Sequence, residues 1–522
     1  MAEKGSTKWI IVFTVVMCSL LELIDTSIVN VAILQLMGNL GATLGEVSWV
    51  IAAYAIANVI VVPMTSWLSN QFGRRNYFAF SVMLFTIASF LCGHSSSIWE
   101  LVAFRFLQGI GGGALLATAQ AILFDTFPKE EHGMASAVYG MGVVMGPTLG
   151  PTIGGYLIDN YDWPWIFYVN VPIGILAFIL TLKYIKNSVH EVGSKLSASQ
   201  VDWLGIALLI VGVGSLQLIL EQGNEKGWFE SPFIVILSFV AVLGIILFIW
   251  RELTYQYPIV KISILKNFNL GFGSLLSFVL GFGLYASVFC YPLFLQQMLG
   301  FTATQTGLSL IPGALATVFF MPFIGRSLGK GFSPKILMIT GFLIFILFCS
   351  LLSFAMNPDS SSDTFYWPLI LRGAALAFLF VPLTTMALST LSPSEIPFGS
   401  GITAMMRQLG GSFGVAVVSL SIERLSMAHR VSLLPNISVF DPETNERIQI
   451  MTQGFIQKGA SLDVARQQAL KILDLQLSKQ AAILSFHDIF MYMAIFFALC
   501  VPLSLFLRVK KGVTIDAGSA AH

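Results

Sequence analysis

Charge is scarce in this sequence. Lys, Arg, Asp and Glu make up 11% of the 522 residues, against about 25% in a soluble domain. A soluble chain of this length would divide into roughly three or four domains and need charged surfaces to cover them. The 28 Lys+Arg nearly cancel the 27 Asp+Glu, so the basic bias of a nucleic-acid binder is missing as well. The five cysteines, Cys18, Cys92, Cys290, Cys349 and Cys500, lie in apolar runs without paired spacing. They read as small hydrophobic filler, not as disulfides or metal ligands. No Gly-x-x-x-x-Gly-Lys-Ser/Thr stretch occurs, so ATP is not the expected energy source. The glycines after Gln108 follow no strand and are not a dinucleotide loop. A soluble enzyme, a disordered chain and a nucleic-acid partner are thereby disfavoured. No cofactor and no metal are expected.

What the sequence does contain is long apolar runs: 56% of its residues are hydrophobic. A bilayer core of about 30 Å takes about 20 such residues per helix. Candidate spans lie near 9–31, 47–68, 77–97, 98–124, 133–158, 165–185, 202–221, 232–250, 269–296, 304–325, 335–356, 365–390, 397–422 and 484–508. The expected fold is therefore an all-α integral membrane protein with fourteen transmembrane helices. The runs are too long for barrel strands. The N-terminal run has no Ala-x-Ala cleavage site and continues through Glu22 and Asp25 to Val31, so it reads as a retained first span.

The cations set the orientation. With both termini cytoplasmic, 17 Lys and Arg fall in inner segments, among them Lys4, Lys8, Arg74, Arg75, Lys129 and Arg326, and only Lys226 falls in a short outer loop. Seven more lie on one long outer segment, 423–483, which is exempt from the positive-inside rule. A weak repeat runs through the chain. Pro63-x-x-Ser66 and Pro322-x-x-Gly325 stand 259 apart; Gly109/Gly373, Gly146/Gly410 and Gly150/Gly414 stand 264 apart. Two parallel six-helix bundles with two extra central helices would produce these offsets. The expected units are an N-terminal bundle, 1–190; two additional spans with linkers, 191–266; a C-terminal bundle with the long outer loop, 267–508; and a cytoplasmic tail, 509–522.

Charges at membrane depth are costly and mark function by default. Asp25 lies roughly 10 Å below the outer end of the first span, and Glu22 is one turn deeper on the same face. Arg105 on the fourth span and Arg372 on the twelfth reach similar depths, and Arg407 on the thirteenth lies near the midplane. Two carboxylates and three guanidinium groups thus share one slab, which fits a water-accessible central cavity. Burial favours the neutral carboxyl and a nearby Arg the charged one, so movement of the Arg loads or unloads a proton. The competing reading is a static ion network that locks helices together. Tyr54, Asn58, Gln120, Tyr139, Tyr285, Gln296, Met405 and Met406 lie on spans that would line such a cavity, and ordinary packing is the competing reading for each. Flexible Met and amphipathic aromatics suit varied ligands. The slab's excess of one positive charge favours neutral or weakly acidic lipophiles over dications. His487 and Asp488, at the outer start of the last span, read as interfacial.

Four stretches carry a family resemblance: Leu23-Ile-Asp25-Thr-Ser-Ile-Val-Asn30; Ser66-Trp-Leu68-Ser-Asn70-Gln-Phe-Gly73-Arg74-Arg75; Arg105-Phe-Leu-Gln108-Gly109; and Gly146-Pro147-Thr-Leu-Gly150-Pro151-Thr-Ile-Gly154-Gly155. Together they resemble the major facilitator superfamily, and within it the fourteen-spanner drug:proton antiporters of the EmrB/QacA family. The likeness covers nearly the whole chain. It implies a major facilitator fold and proton-driven multidrug efflux by alternating access. It implies proton coupling at Asp25 and Arg105, an antiporter motif at Gly146, Gly150, Pro151, Gly154 and Gly155, and an inner gate at Asn70, Gly73, Arg74 and Arg75 with Asp125 as partner. Ser66 and Asn70 stand where the gate motif usually has Gly and Asp, which removes one gate charge. Glu22 lies outside the motif, and its role rests on depth alone. The resemblance further implies the bacterial inner (cytoplasmic) membrane, an EmrA-like periplasmic adaptor and an outer-membrane channel. The segment 423–483, with a capped amphipathic helix from Ser461 and Leu470, Leu473 and Leu477 on one face, would dock that adaptor or pack on itself. The alternatives are a dedicated exporter of one metabolite such as a siderophore, a membrane-embedded transferase, for which no catalytic cluster is evident, and an ion channel.

Overall fold

In the computed structural model, residues 5–187, 197–438 and 440–506 are described, and every regular element among them is helical. The chain runs through α1 (Gly5–Ile28), α2 (Ile33–Leu40), α3 (Leu44–Phe72), α4 (Arg74–Gly93), α5 (Ile98–Thr126), α6 (His132–Asn160), α7 (Trp165–Tyr168) and α8 (Asn170–Tyr184). It continues through α9 (Trp203–Gln222) and α10 (Pro232–Thr254). Then follow α11 (Phe268–Met298), α12 (Ala303–Ser309), α13 (Ile311–Gly329), α14 (Pro334–Ala355), α15 (Tyr366–Leu388), α16 (Ile396–Leu433), α17 (Pro442–Gln457) and α18 (Leu462–Phe506). The expected tail, 509–522, and most of the linker before Ser197 lie outside the described residues.

Twelve described helices are long and apolar enough to cross a membrane. The fifth and thirteenth expected spans, α6 and α16, fall short of that measure. α6 is rich in Gly and α16 in Gly and Ser, and the Gly-bearing stretch of each is largely buried between neighbours. A helix that touches little lipid needs little hydropathy. By contrast α10 turns Phe239, Val242, Leu243 and Ile246 outward, as a lipid-facing helix does.

Helices α1, α3, α4, α5, α6 and α8 pack on one another, as do α11, α13, α14, α15, α16 and α18. The two groups meet where α6 lies against α12 and α13 and where α16 lies against α3 and α5. The α9–α10 hairpin leans on α3 and α16 at one seam. Its two helices approach at glycine: a Cβ on Gly244 would sit 2.8 Å from the Gly212 Cα.

Local chemistry explains the ends and breaks. Thr43 and Glu46 form a capping box at the start of α3, with the Glu46 carboxylate accepting from the Thr43 N–H at 2.8 Å. Pro172 has no N–H to donate to the Tyr168 carbonyl, so the sixth span breaks into α7 and α8 just before Asn170. Pro312 has the same effect between α12 and α13. One expectation changes. The outer amphipathic helix and the last span are a single helix, α18, because no Gly or Pro interrupts 462–501. Its buried outer face carries Ala465, Ala469 and Leu477, whereas Leu470 is exposed. The interior residues follow i, i+4 spacing from Ala465, and α17 covers that face.

Candidate functional site

Asp25 and Arg105 meet in the interior, carboxylate to guanidinium, at 2.5 Å, and both are at most 1% exposed. Three donors converge on the Asp25 carboxylate. Arg105 Nη1 takes one oxygen; the Gln108 amide at 2.7 Å and the Asn170 amide at 2.8 Å share the other. Gln108 is itself held, donating to Ser89 at 2.7 Å and accepting from Arg105 at 2.7 Å. Arg105 also donates to the Val50 carbonyl at 3.3 Å and lies 4.2 Å from the centre of the Tyr54 ring. The spacing Arg105-x-x-Gln108 puts both side chains on one face of α5. Asn170 arrives from the break before α8. Two other helices, α5 and α8, therefore contribute side chains to one acid on α1.

Glu22, one turn further in, has a different environment. Its Oε1 accepts from the Asn58 amide at 2.9 Å and from the Tyr54 hydroxyl at 3.5 Å, the limit of a hydrogen bond. Its Oε2 is buried without a partner. Arg407 stands within electrostatic reach of Glu22 and donates to the Tyr139 hydroxyl at 3.0 Å. Its guanidinium also lies 5.2 Å from the Phe380 ring. Tyr285, packed against Gly411, faces the same group of charges. Gln120 is fully buried, and neither amide atom has a partner. These residues come from both halves and meet on the seam between them.

The structure separates what depth alone had merged. Asp25 and Arg105 form one closed site, and Glu22, Tyr54, Asn58, Tyr139, Tyr285 and Arg407 a second, adjoining one. Arg372 joins neither. It is buried on α15 beside Tyr291 and Cys349. Gln296 is exposed near the outer end of α11. Met405 packs with Val62, Ala117 and Ala404, and Met406 with the cluster around Val59 and Leu209. His487 and Asp488 lie on the outer half of α18 and meet a third residue, His429 of α16, whose Nε2 is 2.8 Å from the Asp488 carboxylate.

The Gly/Pro stretch of α6 packs on the acid-bearing helix. A Cβ on Gly146 would collide with Leu23, one on Gly150 with Ser27, and one on Gly154 would come within 2.6 Å of Ile28. These glycines, four apart, let α6 slide close along the segment of α1 that carries Asp25. Gly155 faces the other way, and a Cβ there would sit 2.8 Å from the Ala303 backbone of α12. At the basic end of the molecule, Arg74 is 4% exposed and paired with Asp125. Arg75 donates to the Leu182 carbonyl at 2.5 Å. Gly73 adopts φ +84°, a left-handed turn that lets α4 reverse directly after α3. Asn70 is exposed.

Two parts of this site were not singled out from the sequence. Asn170 precedes a Val-Pro pair inside the expected span 165–185. Gln108 was noted only as part of a string. The signal available was an amide one turn from a buried Arg.

Comparison with known proteins follows the same pattern. The Major Facilitator Superfamily model matches residues 15–415. The multidrug export protein EmrB of Escherichia coli (strain K12) is 33% identical over 522 residues, covering 99% of each chain. The fatty acid resistance protein FarB of Neisseria gonorrhoeae is 32% identical, covering 96% of each. Among solved structures, the proton:xylose symporter XylE superposes with a TM-score of 0.59 at 15% identity, over 96% of this chain and 99% of that one; this likeness speaks for the fold. By the extent of the family match and the end-to-end identity, the chain belongs to the major facilitator superfamily and, within it, to the family of the EmrB multidrug export proteins.

Proposed function

We propose that this chain is a proton-coupled multidrug exporter that moves lipophilic toxic compounds out of the cell by alternating access. The observation that carries the reading is the sealed Asp25–Arg105 pair adjoining Glu22, whose second oxygen is free. In this reading α1, α5 and α6 couple the two events. Rocking of one bundle against the other slides α6 along α1 and changes the distance from Arg105 to Asp25. A guanidinium beside a carboxylate favours the charged form, and its withdrawal favours the protonated one. Arg105 keeps its own charge throughout. Glu22 and the aromatic side chains of the seam bind the substrate or a second proton. The basic end, with Arg74–Asp125, faces the cytoplasm and closes when the outer side opens.

The rest of the arrangement follows the same reading. Fourteen helices span the inner membrane, α6 and α16 included, with residues 1–190 and 267–508 as the two moving units and 191–266 as the helix pair at their seam. The outer extension of α16, α17 and α18 docks a periplasmic adaptor, which leads to an outer-membrane channel. The family and fold are those of transporters, which disfavours the transferase reading. A dedicated exporter of one metabolite would give resistance to a single compound class.

The test is efflux of a lipophilic dye from cells carrying wild type or Asp25→Asn. Wild type is expected to export in a manner abolished by collapsing the proton gradient, and Asp25→Asn to show no gradient-driven export. Equal export by both proteins with and without the gradient would overturn the proposal.

A further inference from the structure

Arg372 is 3% exposed and stands on α15, six residues from its start at Tyr366. Its Nε is buried without an acceptor, and no carboxylate among the described residues pairs with it. An arginine stays charged when buried, and an uncompensated buried charge is strongly unfavourable. Tyr291 of α11 and Cys349 of α14 stand within electrostatic reach of it. Tyr291 is 1% exposed and its hydroxyl also has no partner by geometry. Ser309 stands beside Tyr291; its own hydroxyl donates to the Thr306 carbonyl at 2.6 Å, and its oxygen is an acceptor on that side of the phenol. The guanidinium, the phenol and the thiol are all hydrogen-bond donors. The cluster offers a buried positive charge and three kinds of donor, with no acid to receive them.

The internal repeat sharpens the point. Gly109 and Gly373 are equivalent in packing. A Cβ on Gly109 would press on the Tyr54 backbone and, at 2.9 Å, on Ala57; one on Gly373 would press on the Gly313 backbone and, at 3.0 Å, on Ala316. Arg372 therefore takes the place that Gln108 holds in the first half. There, the amide has an acid, Asp25, to bind. In the second half a cation occupies the position and the acid is missing.

We propose that Arg372, with Tyr291 and Cys349, forms a binding site for a single monovalent anion, either a halide ion or the carboxylate of an amphiphilic substrate. The bound anion supplies the negative charge that Asp25 supplies in the first half. This site is separate from the Glu22 seam and does not depend on the direction or energy source of transport.

The test uses the full-length protein in lipid nanodiscs and follows its thermal unfolding. One arm titrates sodium chloride against sodium isethionate at constant ionic strength. The other compares laurate with dodecanol, which has the same chain and no charge. Wild type is expected to be stabilised saturably by chloride, by laurate over dodecanol, or by both; these outcomes distinguish a medium anion from a substrate carboxylate. Arg372→Gln is expected to abolish the response and Arg372→Lys to retain it. Tyr291→Phe keeps the charge and is expected to raise the half-saturating concentration roughly tenfold, the effect of one lost hydrogen bond to a charged group. It keeps the test decisive if Arg372→Gln does not fold. No response in either arm, or equal responses in wild type, Arg372→Gln and Tyr291→Phe, would overturn the proposal.

Discussion

Asp25 is held by three donors from two other helices, α5 and α8, and each donor gives a separate handle on it. Gln108→Leu and Asn170→Leu each remove one amide at 2.7 and 2.8 Å from the same carboxylate oxygen. Both are expected to reduce gradient-driven efflux and to leave substrate exchange without a gradient largely intact. Loss of both activities together would mean that the amides serve only folding. Removing Arg105 is more severe, because it leaves a buried acid unpaired. Such losses cost about 3–5 kcal/mol, so Arg105→Leu is expected to lower the unfolding temperature as well as abolish transport, and a thermal shift measurement on purified protein checks this. Asp25 and Arg105 were legible as charges at equal depth in apolar spans, but that Arg105 pairs with Asp25 and not with Glu22, one turn deeper on the same face, was not. Arg372 shows the limit of that reasoning. Counting residues along a helix fixes height, not azimuth, and Arg372 sits at the expected height on the wrong side of α15 to reach an acid.

At the scale of elements, α6 is where packing and mechanism coincide. Gly150 lies against Ser27, with the Ile24 carbonyl 3.0 Å from where a Cβ would be. Gly150→Ala forces these helices apart at a cost of about 1–3 kcal/mol, and it is expected to slow efflux sharply at normal membrane abundance. Gly38→Ala, where a Cβ meets nothing within 4 Å, is the control and should transport like wild type. The outer extension behaves differently. Asp441 caps α17, accepting from the Thr444 N–H at 3.0 Å and from its hydroxyl at 2.6 Å. These bonds hold its carboxyl below the ordinary carboxylate value. The cap is therefore complete above the unfolded value, about 3.9, and is lost as pH falls through the lower folded one. Amide exchange across the first turn of α17, corrected for intrinsic rate, should be slow at neutral pH and faster in strong acid, with Asp441→Ala fast at both. The helical content of this extension was readable from its caps and periodicity. Its fusion with the last span was not, because Lys479, Gln480, His487 and Asp488 look like a boundary. Arg430–Asp474 at 2.5 Å and His429–Asp488 at 2.8 Å show how those charges are accommodated, by pairing α16 with α18 beyond the apolar region.

For the whole molecule, the offsets of 259 and 264 residues anticipated two equivalent halves, and Gly109 and Gly373 bear the same packing load in each. What the offsets did not reveal is how unlike the halves are in charge. The first half carries both acids, Glu22 and Asp25, and the second carries Arg372 and Arg407. The contact between them sets polar pairs among apolar ones: Arg407 of one half binds Tyr139 of the other, Thr152 donates to the Gly307 carbonyl at 2.9 Å, and Tyr139 also packs on Phe380. In the proposed cycle, rocking of the two halves exchanges protons for substrate at Asp25. The most direct measurement is lumenal pH in everted vesicles of stated protein orientation, energised to an acidic interior and then given a weakly acidic lipophilic substrate. Wild type should alkalinise the lumen as substrate enters, and Asp25→Asn should do neither. Substrate accumulation in wild type with no change in lumenal pH, or equal accumulation after the gradient is collapsed, would contradict it.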